Sequence, residues 1–276
     1  NLISRGVIYK EAPLSAGEYD LKAISAAVDD HTKLVLIQRS RGYADRRPLF
    51  PEDIRKIIQC VKKKNPDAIC FVDNCYGEFT CTEEPTEAGA DIIAGSLIKN
   101  AGGGLAPTGG YICGRADLVD LCAQEWTAPG LGGEMGSYAA SYRPFFQGLF
   151  LAPHVVRQAM MGAEFIAAVF EQLGFKVSPK AGGRRSDLIA AIELGSEKNM
   201  RLFAEALQSW SPVDSYVQPV PGQLPGYTDP IIMAAGTFIQ GSTIELSGDG
   251  PMRAPYTIYV QGSLTFEHAV LAALGA

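Results

Sequence analysis

The chain has 276 residues, of which 47% are hydrophobic and 20% charged, with 30 glycines and 17 prolines. That balance supports a large core and many tight turns, so it favours an α/β enzyme over a helical bundle or a disordered chain. A net charge of −6 argues against nucleic acid as a partner, and no apolar run approaches the ~18 residues that a membrane-spanning helix needs.

Along the chain, residues 6–11 read as a short strand. Asp20 is placed to cap a helix in which Leu21, Ile24, Ala27 and Val28 fall at helical spacing. Residues 33–38 (KLVLIQ) form a continuous apolar strand, of the kind covered on both faces. Pro51 opens a helix with Ile54, Ile57, Ile58 and Val61 on one side. Lys62, Lys63 and Lys64 end it, where cations suit the helix dipole. Residues 68–72 (AICFV) are the next buried strand, ending at Asp73. Residues 90–96 (ADIIAGS) and 110–113 (GYIC) supply two more.

Strand–helix–strand at this spacing implies a mostly parallel, right-handed sheet. Its ligand belongs outside the carboxyl ends of the strands, and Asp73, Ser96 and Lys99 lie at two of those ends. From residue 131 to 173 the pattern is helical, with a break expected near Pro153. Val155, Ala159, Ala163, Ile166 and Phe170 mark one face of a long helix that Gly174 ends. Strands follow near 188–193, 231–238, 243–246 and 256–260, interrupted by a helix over 196–210 and closed by another. The expected organisation is a large domain over residues 1–150, then a linking helix and a smaller α+β domain over 151–276.

The six cysteines form no C-x-x-C pair, and His31, His154 and His268 lie far from them and from one another, so no metal site is expected. Cys70 and Cys113 read as small core residues in a reducing, cytoplasmic compartment. No signal peptide is recognisable. The chain begins with Asn1 rather than Met, and is expected to be a piece whose beginning lies upstream.

Lys99 carries the chemistry. It follows an apolar strand in SLIKN and precedes AGGG, whose glycines allow close backbone approach. Such a lysine is either a surface residue at a strand end or a desolvated amine able to form a Schiff base with an aldehyde. Asp73 ends an intensely apolar strand, where an unpaired carboxylate is costly. It either caps a turn or faces a protonated pyridine nitrogen. Tyr76 offers a phenol to a cofactor oxygen or simply packs, and Ser96 is a phosphate donor or a plain strand-end hydroxyl.

Together, VDN at 72–74, S-x-x-K at 96–99 and the Gly109-Gly110 strand resemble fold-type-I, aspartate-aminotransferase-like pyridoxal-phosphate enzymes. The stretches VDNCYGEF (72–79), GSLIKNAGGG (95–104) and IELSGDGPMR (244–253) resemble the methionine gamma-lyase-related, aluminium-resistance branch. The resemblance implies pyridoxal 5'-phosphate as cofactor, with Lys99 as Schiff base and proton shuttle and Asp73 holding the pyridinium. It also implies Ser96 on the phosphate, Tyr76 on the 3-oxygen and Arg253 forked onto the substrate α-carboxylate. Residues 38–41 end the strand where the family places polar groups near the ring.

Two departures stand out. Ile98 occupies the position before the lysine where better-known members have Thr, which removes one phosphate contact. The family's phosphate loop and ring-stacking aromatic come from a segment upstream of Asn1, so the chain alone is expected to hold the cofactor poorly. A dinucleotide reductase is disfavoured because residues 102–110 lack G-x-G-x-x-G opening a helix. A P-loop and a G-x-S-x-G serine hydrolase are disfavoured because neither motif occurs. The expected activity is elimination from a sulfur amino acid by a carbon–sulfur lyase. An aminotransferase is the alternative, and a non-catalytic cofactor-binding protein with a role in aluminium tolerance is the alternative of another class. The expected partners are a small amino acid and further copies of the chain, in a homodimer or homotetramer with shared sites; neither nucleic acid nor membrane is expected.

Overall fold

The structure is a computed structural model that describes residues 2–126, 128–134 and 138–275. Its first sheet contains β1 (Leu34–Gln38), β2 (Ile69–Asp73), β3 (Ile92–Ser96) and β4 (Gly110–Gly114) in that order. The first two pairings are parallel, and β4 joins antiparallel at the edge. Helix α1 (Leu21–Ala27) starts at Asp20, whose carboxylate accepts the Lys22 amide at 2.8 Å. Helix α2 (Pro51–Lys64) makes the crossover from β1 to β2. It buries Ile54, Ile57, Ile58 and Val61 against Ile37, Cys70 and Val72, each worth about 2 kcal/mol in apolar area removed from water.

Three expectations in this half are corrected. Residues 6–11 form no strand: Val7, Ile8 and Tyr9 are exposed and pair with no neighbouring strand. β1 is covered on only one face among the described residues, with Leu34 and Leu36 52% and 58% exposed. Cys70 is buried as expected, but Cys113 is exposed on the edge strand β4.

After β4 comes α3 (Ala116–Trp126), which the periodicity did not mark. Of the helical pattern expected from residue 131, residues 135–137 lie outside the described residues and Gly132–Glu134 form a 3-10 turn. Helix α4 (Arg143–Gln172) then runs for 30 residues, and Pro153 sits inside it without breaking it. Proline costs the helix one hydrogen bond there; packing of the helix along its length offsets that loss. Residues 150 and 151 both belong to α4. Gly174, with φ of 88°, ends the helix, and the Phe175 amide returns to the Phe170 carbonyl at 3.0 Å.

The second sheet is antiparallel throughout. Its strands are β5 (Lys176–Ser178), β6 (Ala190–Glu193), β7 (Ile231–Ala234), β8 (Ser247–Pro251) and β9 (Thr257–Gln261), in the order β5-β6-β9-β8-β7. Helices α5 (Glu197–Ser209, capped by Ser196) and α6 (Phe266–Gly275) pack with α4 on this sheet. Ile166, Phe170, Phe203, Leu207, Ile232 and Ile258 share one core. The strand expected over 243–246 lies instead at β8, because SGDGP reads as a turn. Glycine is needed in this strand by close packing: a Cβ at Gly250 would collide with the Thr257 carbonyl and the Met200 side chain.

One backbone contact seats α4 against the turn that follows Lys99. The 3-10 turn Asn100–Gly102, just after Lys99, lies against α4 at Gly148. A Cβ on Gly148 would overlap the Gly102 carbonyl, and a Cβ on Gly102 the Leu97 carbonyl. Gly148→Ala should therefore lower stability by about 3 kcal/mol, the upper part of the overpacking range, because backbone cannot rotate away. Urea unfolding followed by circular dichroism measures this; a loss below about 1 kcal/mol would show the contact to be loose.

Candidate active site

β2 delivers its last residue to the site and turns immediately. Gln38 and Asp73 are register partners at the ends of β1 and β2. Asp73 Oδ1 accepts the Cys75 amide at 3.1 Å, which closes the turn and aims the carboxylate outward. Asn74 points the other way. It accepts from Arg39 Nη1 at 2.8 Å and donates to Glu84 at 3.1 Å and to the Tyr111 oxygen at 3.2 Å. Tyr76 follows in the left-handed region, φ 70°, a conformation that places its ring under the next strand end.

That strand end is β3. Beyond Ser96 the chain makes a tight turn in which the Lys99 amide donates to the Ser96 carbonyl at 3.3 Å. The Lys99 ammonium rests 4.6 Å from the centroid of the Tyr76 ring, a cation–π contact that fixes a flexible side chain. Asn100, fully buried, donates to the Glu78 carbonyl at 3.0 Å and anchors the turn from below.

Between the sheets lies a cavity of about 220 Å³ lined by Gln38, Ser40, Tyr43, Asp73, Cys75, Tyr76, Lys99, Tyr227, Asp249, Tyr259 and Gln261, among others. Burial pushes the Cys75 thiol up to about 11, which leaves it a thiol at neutral pH. Asp249 comes from β8, opposite the strand ends. Burial pushes its carboxyl up to about 7, while hydrogen bonds from Tyr43 and Gln261 and the charge of Lys99 pull the other way. Burial likewise raises Tyr43 and Tyr76, so both phenols remain protonated donors.

The structure thus brings Gln38, Asp73, Tyr76 and Lys99 into one cavity. Ser96 ends β3, half-buried and outside that lining. Arg253 stands outside it too: it is half exposed, pairs with Asp229 at 2.9 Å and lines a neighbouring cavity. Sequence reasoning missed Tyr43, Tyr227, Asp249, Tyr259 and Gln261. The available signal was Asp249 itself, an acid between two small residues in a stretch flanked by Leu246 and Pro251.

Beneath the cavity, Glu78 is 4% exposed, and its Oε1 accepts the Tyr111 hydroxyl at 2.8 Å. Burial, opposed by that hydrogen bond and by Arg39, pushes the carboxyl up from 4.5 to about 7. The folded chain therefore holds a proton that the unfolded chain has lost, and stability falls as pH rises between these values. In Glu78→Gln this contribution disappears. Relative to wild type the variant should gain on the order of 3 kcal/mol between pH 4.5 and pH 7, with no further gain above. Denaturant melts across that range test it, and a constant difference would contradict the buried-acid assignment.

A lysine and a carboxylate at adjacent parallel strand ends, faced across a cavity by a second, antiparallel sheet, define an α/β protein with a lysine-centred site. The methionine gamma-lyase family profile matches residues 1–276, and the chain belongs to that family. A Listeria innocua protein, described as a candidate cystathionine beta-lyase involved in aluminium resistance, is 52% identical with a TM-score of 0.91; the match covers 95% of this chain and 65% of that one. A Clostridium novyi carbon–sulfur lyase involved in aluminium resistance is 47% identical with a TM-score of 0.92, covering 99% of this chain and 64% of that one. The Bacillus subtilis protein YnbB is 50% identical over 252 residues, 91% of this chain and 60% of YnbB. The chain therefore spans less than two thirds of the length of each of these relatives.

No helix among the described residues is long and apolar enough to cross a membrane. Among the same residues no group of His, Cys, Asp and Glu is arranged to hold a metal ion.

Proposed function

We propose that the full-length protein is a pyridoxal-phosphate-dependent carbon–sulfur lyase acting on a sulfur amino acid. The observation that carries this reading is the shared cavity of Lys99 and Asp73 at adjacent strand ends. The donor set fits the cofactor: an amine for its carbonyl, a carboxylate for its ring nitrogen, and an aromatic phenol, Tyr76, against the amine. When bound, the cofactor supplies an electron sink for charge developing at the substrate α-carbon.

The residues then have separable tasks. Lys99 removes the proton from the substrate α-carbon and, for loss of a thiol from the γ-carbon, moves a second proton from the β-carbon. Asp73 holds the proton on the ring nitrogen. Tyr76 restrains the Lys99 amine and offers its hydroxyl to the 3-oxygen. Ser96 is assigned to the phosphate, with further phosphate donors in the part of the protein outside this chain. A homodimer or homotetramer sharing its sites accords with the family, and any role in aluminium tolerance would run through the reaction's products.

Offering the full-length protein methionine, cystathionine and cysteine in turn, while measuring thiol, ammonia and keto acid, tests the reading. A thiol, ammonia and a keto acid in equal amounts are expected from at least one of them. Amino transfer to an added keto acid without thiol release would make the protein an aminotransferase. Cofactor bound at Lys99 with no turnover at all would make it a binding protein.

A further inference from the structure

Asp249 has no task in the lyase reading. It is the middle residue of β8, whose pleat sends alternate residues to opposite faces of the second sheet. Gly248 and Gly250 face α5, because a Cβ on either would press against Leu207 or Met200. Asp249 therefore faces the other way, with its register partners Tyr259 on β9 and Met233 on β7. It is half-buried and lines the lysine cavity together with Tyr259. Neither Asp249 nor Lys99 forms an ion pair with any described residue. An amine and a carboxyl thus stand on opposite walls of one cavity of about 220 Å³.

Elimination from a thioether needs two proton carriers with opposite tasks. One takes protons from carbon, and the other delivers a proton to the sulfur as it leaves. Lys99 is committed to carbon and Asp73 to the ring nitrogen. A thiol holds its proton with a pKa of ~8.5, so a good donor to the thiolate must hold its own less tightly. The remaining titratable groups of the cavity are the Tyr43, Tyr76, Tyr227 and Tyr259 phenols, the Cys75 thiol and Asp249. A phenol ordinarily lies at ~10 already, and burial raises Tyr43, Tyr76 and Tyr259 further. Cys75 is pushed up to about 11. Asp249, pushed up by burial to about 7, lies below the thiol and still carries a proton for much of the time at neutral pH. Two groups whose surroundings drive them toward opposite proton tasks are the pattern of an acid and base pair.

We propose that Asp249 is the proton donor to the departing sulfur, acting from the wall opposite Lys99; this rests on the lyase reading above. The carbon–sulfur bond breaks with its electron pair going to sulfur, the Asp249 O–H bond breaks, and an S–H bond forms. Asp249 is left as a carboxylate while Lys99 carries the proton taken from carbon. Exchange with water after the thiol has left returns both groups to their starting forms, and the step needs no outside oxidant or reductant.

The experiment offers the cofactor-loaded, full-length protein two thioethers of the amino acid it cleaves. One ends in an ethyl group, whose thiolate needs a proton to leave, and the other in a para-nitrophenyl group, whose thiolate leaves without one. Asp249→Asn should slow ethanethiol release by about 10²-fold or more, the scale of one positioned acid, and slow the nitrophenyl compound by less than about tenfold. Exchange of the α-hydrogen with heavy water should change little, because Lys99 performs it. Equal slowing of the two thioethers, or unchanged release of ethanethiol, overturns the proposal. In the wild type, ethanethiol release should fall as pH rises through about 7, because the acid form is the donor, while nitrophenyl release does not. Where a thermal melt shows Asp249→Asn unfolded, these wild-type profiles decide, and parallel profiles overturn it. The infrared carbonyl band of a protonated carboxyl gives a readout without turnover. The wild type minus Asp249→Asn difference should show that band fading as pH rises, and a folded variant that leaves no such difference overturns the assignment. A wild type that releases no thiol from any thioether defeats the lyase reading and this proposal with it. Release of both thiols by the wild type, slowed alike in the variant, defeats this proposal alone.

Discussion

Lys99→Ala should reduce thiol release from a sulfur amino acid by about 10³-fold, within the range for loss of a positioned acid–base group. The expectation follows from the arrangement around the amine. Among the residues lining the cavity, Lys99 is the only cation, and its nitrogen is held over the Tyr76 ring. No neighbouring amine is placed to substitute for it. Lys99→Arg should fare no better, because a guanidinium stays protonated and cannot accept the α-proton. The same residue fixes the chemical label: borohydride reduction with pyridoxal phosphate, followed by digestion, should mark Lys99 in the wild type and lose that mark in Lys99→Ala. A label on any other lysine would falsify the assignment.

Asp73→Asn should leave the label at Lys99 but reduce turnover by about 10²- to 10³-fold, the effect of leaving one charge of a buried pair without its partner. The geometry separates the two roles. Asp73 ends β2, closes its own turn through the Cys75 amide and lines the cavity beside Gln38. The amide of asparagine can still accept the Cys75 hydrogen bond, so the turn should survive. What is lost is the negative charge that keeps the ring nitrogen protonated. Labelling and turnover that fall together would mean Asp73 is needed for the fold of the site; unchanged turnover would mean it does not face the ring.

The parts of this molecule legible in its sequence are those whose pattern repeats locally. Apolar runs ending at Gln38, Asp73 and Ser96 gave the parallel strands, and the Ile54–Val61 spacing gave α2. Asp73, Tyr76 and Lys99 could be placed because each lies within a few residues of such a strand end. The opposing wall could not. Asp249 reaches the cavity only because β8 pairs with β9 and the second sheet faces the first, a relation that no local pattern encodes. Its strand was further hidden by the glycines that α5 and β9 require for close packing. Arg253 stands apart from both groups: resemblance assigns it to the substrate carboxylate, and in the structure it pairs with Asp229 and lines the neighbouring cavity.

Helix α4 has a mechanical consequence for the site. Its early turns are pinned at Gly148 to the turn that carries Lys99, and its later turns, from Ala163 to Phe170, belong to the core under the second sheet. Pro153 lies between these two anchorages and removes the hydrogen bond that the Leu149 carbonyl would otherwise receive. The least stiff point of the beam therefore falls between the sheet bearing the amine and the sheet bearing Asp249. The two sheets are joined elsewhere as well, by the Ser40 hydroxyl on Asp187 at 2.8 Å and the Ser186 hydroxyl on the Leu49 carbonyl at 2.7 Å, so the spacing of Lys99 and Asp249 is held by α4 and by these buried hydrogen bonds together.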